Sequence, residues 1–320
     1  MYYSRAALGL VLTLSLPAPA WAEESCALKK LSTMPAQITP DNQLLVQTGI
    51  GNTSVPLLVD TGAGWNGLSR PMAGRLGVEF RHVKEGYPYS GDVLTQGNTV
   101  DAIVLGSVRA NTVFFYALDK GGDGTDGKPA GVLGVYDRKE DVEIDPAGNA
   151  VNLFSQDHCP GKAVYWTNDY ATLPVHISPW MTIDVEVDGQ KLRGLIDTGA
   201  SWTMMPSGHA LDRFGLSEAS PGMSAVPEGM TIDAQPQAAS AYTFQTMKIG
   251  DIVIHNPRIL IAPLRYHAEE ATGSHFNRQQ LSQPEIFIGM NVLKNLHLFF
   301  AYGERVVYYT GANAGRPAPK

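Results

Sequence analysis

Charge is sparse in this chain: Asp, Glu, Lys and Arg make up 17% of 320 residues, the net charge is −7, and no run of Lys or Arg occurs. A nucleic-acid partner normally needs a basic face, so this balance argues against one. Long apolar runs are missing as well. The longest near the start, Ala6 to Leu16, is eleven residues followed by Pro17 and Pro19, too short to span a bilayer, so no stable membrane anchor is expected. No HExxH pattern and no Gly-x-Ser-x-Gly elbow is present, which sets aside a zinc-peptidase or serine-hydrolase reading of the eight histidines. Cysteine is limited to Cys26 and Cys159. In an exported protein such a pair suits one disulfide, the alternative being two buried thiols.

Export is suggested by what the first residues do contain. Arg5 supplies a positive charge, the short apolar stretch follows, and Ala20-Trp21-Ala22 offers small residues for cleavage. Residues 1–22 read as a signal peptide, which predicts a secreted or periplasmic protein. Apolar residues make up 44% and Gly and Pro are scattered, as in a turn-rich globular protein whose length allows two domains.

The chain repeats itself once. Leu57-Leu58-Val59-Asp60-Thr61-Gly62-Ala63-Gly64-Trp65 overlays Gly194-Leu195-Ile196-Asp197-Thr198-Gly199-Ala200-Ser201-Trp202 without a gap, at an offset of 137 residues. Downstream, Arg75-Leu76-Gly77-Val78 answers to Arg213-Phe214-Gly215-Leu216, and Val132-Leu133-Gly134 to Phe287-Ile288-Gly289. Leu105-Gly106 and Ile249-Gly250 mark a matched hairpin. Two copies of one β-rich unit explain these landmarks. Strands are expected at residues 43–47, 55–59, 102–105, 112–116, 181–187 and 258–261, and short helices near 71–76, 207–214 and 291–295. The halves should join between Cys159 and Leu173, giving lobes over 23–165 and 166–310 and a tail over 311–320. A polar stretch, Tyr266 to Pro284, is present only in the second copy and reads as an exposed loop.

Two Asp-Thr-Gly turns at the ends of apolar strands are an odd choice for stability alone, because a buried Asp must be hydrogen-bonded or protonated. Two adjacent carboxylates force one to keep a proton. That suits an acid and a base sharing one proton: the ionised member takes a proton from attacking water while the other hydrogen-bonds the carbonyl oxygen. Neither metal nor cofactor is required. Gly62 and Gly199 allow a tight turn and close approach, and the Thr61 and Thr198 hydroxyls can tie the loops together.

Over residues 42–310 the sequence resembles the pepsin and retropepsin superfamily of aspartic peptidases. The resemblance implies an all-β, bilobal fold of two barrel-like lobes related by a pseudo-twofold axis, with Asp60 and Asp197 catalytic and Thr61, Gly62, Thr198 and Gly199 supporting them. It implies an extended peptide or protein substrate. Ala63 and Ala200 stand where pepsins usually carry Ser, which leans toward the retropepsin-like branch. Both halves lie in one chain, so a monomeric pseudo-dimer is expected. The missing Ser hydroxyls also predict activity reaching toward neutral pH, since a hydrogen bond to the ionised pair is lost. A flap should lie between Val83 and Val100, with Tyr87, Tyr89 and Gly91 as candidates against a plain surface loop. A catalytically silent peptide-binding protein of the same fold is the rival reading. Asp137, Asp141 and Asp145 read as a solvated face, and Gly121 to Asp126 as a loop.

Overall fold

In the computed structural model, residues 26–89, 92–125, 127–136, 139–177, 181–226, 239–263 and 284–316 are described. The expected signal peptide, Gly91, Asp126, Asp137, nearly all of the 266–284 stretch and the last four residues lie outside them. The expected β-rich, bilobal architecture is what is found. In the first lobe the alternating apolar segment Leu44–Ile50 pairs with Thr53–Asp60, which runs parallel to Gly131–Gly134. Gly67–Ser69, Val108–Leu118 and Asp92–Leu105 follow in order. Gly49↔Val104 and Ile50↔Ile103 then close the ring onto its first strand.

The second lobe repeats this path with Met181–Val187, Gln190–Ile196, Ile286–Ile288, Met204–Pro206 and Arg258–Ala262. Its counterpart of the long hairpin is split in two. Ser240–Thr243 pairs with Arg258–Ala262, while Thr246–Ile249 pairs with Ile252–His255 and reaches back to Met181–Val187. Gly106 and Gly250 take φ of 61° and 57° in the matched turns, a left-handed conformation that glycine adopts without penalty.

The repeated Arg-apolar-Gly-apolar sequence is a helix stop. Helices Arg70–Leu76 and Ser207–Phe214 end on Gly77 and Gly215 in the left-handed conformation. The next amides, of Val78 and Leu216, bond back to the carbonyls of Ala73 and Ala210. Ser69 caps the first helix by accepting from the Met72 amide at 3.1 Å. The third expected helix is the single turn Met290–Leu293.

A six-stranded antiparallel sheet joins the lobes, in the order Ala171–Pro174, Val306–Gly311, Leu296–Ala301, Glu140–Asp145, Ala150–Ser155 and Lys30–Ile38. Its centre is the pairing of Phe299 with Glu143 and its neighbours, one strand from each half. On one face the linker after Ser155 lies over a cluster of Phe154, Ala163, Phe299, Ala301 and Tyr308. Cys26 and Cys159 form a disulfide at this linker, with Cα atoms 4.8 Å apart.

The expected solvated face is corrected here. Of its members, Asp141 is 1% exposed and Asp145 is mostly covered and paired with Arg316; Asp141 and the intervening Glu143, 0% exposed, point under the linker. Asp141 Oδ2 pairs with His158 Nε2 at 2.7 Å, and Glu143 Oε1 with His297 Nε2 at 2.8 Å. Trp166 stacks on the His297 ring at 3.8 Å. Alternation with basic and apolar residues cannot distinguish water from a covering segment that supplies its own partners.

Candidate active site

Asp60 ends the strand Thr53–Asp60 and Asp197 follows Gln190–Ile196, so two apolar strands, one per lobe, each deliver a carboxyl to the seam. The next residues lock the loops reciprocally. The Thr61 amide donates to Thr198 Oγ1 at 3.1 Å and the Thr198 amide to Thr61 Oγ1 at 3.0 Å. Each hydroxyl in turn donates across the seam at 2.7 Å, Thr61 to the Ile196 carbonyl and Thr198 to that of Val59. Both threonines are fully buried, where an unsatisfied hydroxyl or carbonyl would cost about 1–3 kcal/mol. The loops therefore form as a pair.

The glycines leave room for the carboxyls. A methyl group on Gly62 would sit 3.2 Å from Oδ1 of both Asp60 and Asp197, and one on Gly199 only 2.5 Å from Cγ of Asp60. A single point thus lies 3.2 Å from an oxygen of each aspartate, so both carboxyls border the same small space at the seam. Neither glycine has a left-handed φ. Their requirement is space rather than the conformational freedom that a tight turn suggested. The Gly62 amide donates to Asp60 Oδ1 at 2.7 Å and the Ala200 amide to Asp197 Oδ1 at 3.1 Å.

The apolar-apolar-Gly segments pass alongside these loops. In the parallel register Val59 faces Leu133 and Ile196 faces Ile288. A methyl on Gly134 would meet the Trp65 carbonyl oxygen at 2.1 Å, and one on Gly289 the Trp202 carbonyl carbon at 2.4 Å. The Gly134 amide donates to Asn66 Oδ1 at 3.2 Å and the Gly289 amide to Thr203 Oγ1 at 3.1 Å. Asn66 and Thr203 were not singled out from the sequence. They follow the two tryptophans of the repeat by one residue, which is the signal that marks them.

A hairpin of Arg81–Tyr89 and Asp92–Leu105 occupies the region expected for a flap. Tyr87 packs 6.0 Å from the Trp65 ring and 5.9 Å from that of Tyr116, centroid to centroid, within a cluster that includes Ala63, Val132, Leu58, Leu94 and Leu118. Burial, then the neighbouring Tyr116, then the negative charge of Asp60 push the Tyr87 phenol above its ordinary pKa. The phenol is therefore neutral and able to donate at any working pH. Tyr89 lies in the same strand, paired with Asp92, and Gly91 falls outside the described residues. The second lobe offers a different wall. Leu260 pairs with Met204 where Tyr116 pairs with Gly67, and the cluster there contains Ala239, Ala241, Ala262 and Trp202.

The aspartyl protease family model matches residues 46–136 and 183–292, one segment in each lobe and well over half of the chain. The chain belongs to the aspartyl protease family. The matched segments contain both Asp-Thr-Gly turns and both bracing segments. Among solved structures it is similar to the aspartic proteinase from Irpex lacteus, with a TM-score of 0.51 at 14% identity, over 88% of this chain and 98% of that one. At that identity the likeness is one of fold. No curated protein matches the chain by sequence.

Proposed function

We propose that the protein is an exported aspartic endopeptidase in which Asp60 and Asp197 are the catalytic pair. The observation that carries this reading is the point 3.2 Å from a carboxyl oxygen of each aspartate. Two carboxyls bordering one small, partly buried space disfavour a second negative charge, and in this scheme the pair holds one proton. The ionised member takes a proton from a bound water as its oxygen attacks the peptide carbonyl carbon, and the protonated member hydrogen-bonds the carbonyl oxygen. Collapse of the tetrahedral species breaks the C–N bond. The nitrogen takes up a proton from the pair and leaves as an amine, the new carboxyl forms on the other product, and the shared proton is restored. Thr61, Thr198, Gly62 and Gly199 hold the two groups in register.

Tyr87, over the first-lobe aromatic cluster, is the flap residue of this scheme. The substrate is an extended peptide with large apolar side chains on either side of the cleaved bond, because apolar clusters flank both loops. The single chain supplies both halves, which favours a working monomer of lobes 23–165 and 166–310. Residues 1–22 and the disulfide support export, and Ala63 and Ala200 support the retropepsin-like branch. Incubation of the purified protein with a diverse peptide mixture, with and without a statine inhibitor, tests the reading. Inhibitor-sensitive cleavage supports it; peptide binding without cleavage would favour a silent binding protein.

A further inference from the structure

The two loops are braced symmetrically at Gly134 and Gly289, but one residue further on the symmetry fails. In the second lobe Met290 opens a helical turn, and its carbonyl accepts the amide of Lys294 at 3.1 Å. The Met290 amide donates to the Ala200 carbonyl at 2.8 Å, so this brace is fixed within its own lobe. The equivalent residue in the first lobe, Val135, starts no helix. Its amide donates to the Asp60 carbonyl at 2.9 Å, and the next amide, of Tyr136, to the Ala63 carbonyl at 3.1 Å. Its own carbonyl accepts the hydroxyl of Tyr302 at 2.5 Å. Val135 is 0% exposed and Tyr302 9%, so water is a poor substitute at this carbonyl.

Tyr302 belongs to the second lobe, in the turn between Leu296–Ala301 and Val306–Gly311. The first lobe grips it a second time, since its amide donates to Asp141 Oδ1 at 3.0 Å. Asp141 is held in place by His158. A continuous set of buried contacts thus runs from Asp141 through Tyr302 and Val135 to the backbone of Asp60.

We infer that Tyr302 is a positioning residue that fixes the Asp60 loop from the opposite lobe, doing for the first lobe what the Met290–Leu293 turn does for the second. This rests on the peptidase reading for its catalytic consequence and not for its structural one. Docking of the two lobes then acts on Asp60 through this bond as well as through the Thr61–Thr198 lock that both loops share, and loss of the Tyr302 hydroxyl alone is felt at the Asp60 side.

The test uses the whole mature protein. Tyr302→Phe removes one oxygen and keeps the ring that lies 6.0 Å from Phe300. We expect kcat to fall about ten-fold with KM within about two-fold, as for a group that acts on the reacting geometry and not on binding. Hydrogen exchange should quicken in the segment 131–136 and stay unchanged in 286–290. Tyr308→Phe is the control: it deletes another hydroxyl of the same hairpin, one bonded to Glu304 at 2.5 Å, and should leave kcat unchanged. An unchanged kcat in Tyr302→Phe, or an equal loss in Tyr308→Phe, would overturn the inference. If the wild type cleaves nothing, the peptidase reading fails on its own. Faster exchange in 131–136 alone would then still support the Tyr302 link, and unchanged exchange would remove it.

Discussion

At the scale of single residues, the site is made by what is small as much as by what is charged. Asp60→Asn and Asp197→Asn should each lower kcat by about 100-fold or more, because either change ends the sharing of one proton. Their unfolding curves should stay near the wild type's, and near-normal turnover by either folded variant would remove the pair from the mechanism. The glycines divide into two kinds. Gly134→Ala and Gly289→Ala place a methyl 2.1 and 2.4 Å from backbone atoms of the loops that follow Asp60 and Asp197, and each should destabilise by about 1–3 kcal/mol in urea denaturation. Gly74 lies inside the helix Arg70–Leu76 with nothing within 4 Å of an added Cβ. Gly74→Ala should stabilise by about 0.5–1 kcal/mol. A uniform response of all three would show that close approach is not what demands glycine at the braces.

Two elements carry the asymmetry between the lobes. The first is the hairpin bearing Tyr87, which rests on Trp65 and Tyr116. Tyr87→Ala should raise KM several-fold for apolar peptides and leave the melting temperature nearly unchanged, since Tyr87 is only partly buried; an unaltered KM would assign the flap role elsewhere. The second is the linker that lays His158 over the interlobe sheet. His158 faces Asp141 at 2.7 Å from the first-lobe strand and Glu304 at 3.6 Å from the second-lobe turn, with the Phe299 ring edge-on. Burial by itself depresses the imidazole, but the bonds to Asp141 and the Cys159 carbonyl and the two negative charges outweigh it and hold the pKa above its ordinary value. A raised folded pKa means that the charged form stabilises the fold. The contribution is complete below the unfolded value of about 6.5 and is lost as pH rises through the folded value. Asp141, raised chiefly by burial, acts in the same sense at lower pH. Thermal stability should therefore fall from weakly acidic toward alkaline pH, and His158→Gln should flatten that fall above about pH 6.5. A variant with the wild-type slope would show that His158 does not titrate with folding.

Across the whole molecule, the segment before the first-lobe ring is part of the fold. Lys30–Ile38 pairs with Ala150–Ser155 on one side and with Leu44–Ile50 on the other, so it joins the first-lobe ring to the interlobe sheet. The disulfide lies just before it in the chain and links positions 133 residues apart. In the chain-entropy account a bridge of this span contributes about 4–5 kcal/mol. Reduction should lower the melting temperature, and thiol labelling of the denatured, unreduced protein should find no free cysteine. Labelling at two sites would contradict the bridge.

The amino-acid sequence by itself determined the parts whose causes are local. Apolar alternation wrote the strands, Arg-apolar-Gly-apolar wrote the helix stops, and the gapless repeat around Asp60 and Asp197 wrote the two-lobed plan and its catalytic candidates. These features depend on neighbours a few residues away, and the duplication states each of them twice. Only the tertiary structure decided the contacts that the two copies do not share. Asp141 reads as solvated until a linker from elsewhere in the chain supplies His158, and nothing near Tyr302 in sequence announces Val135. Tyr116 becomes a wall of the site only because its strand runs beside Gly67–Ser69. Such contacts span tens to hundreds of residues and occur on one side of the pseudo-twofold axis, so neither local pattern nor internal repetition encodes them.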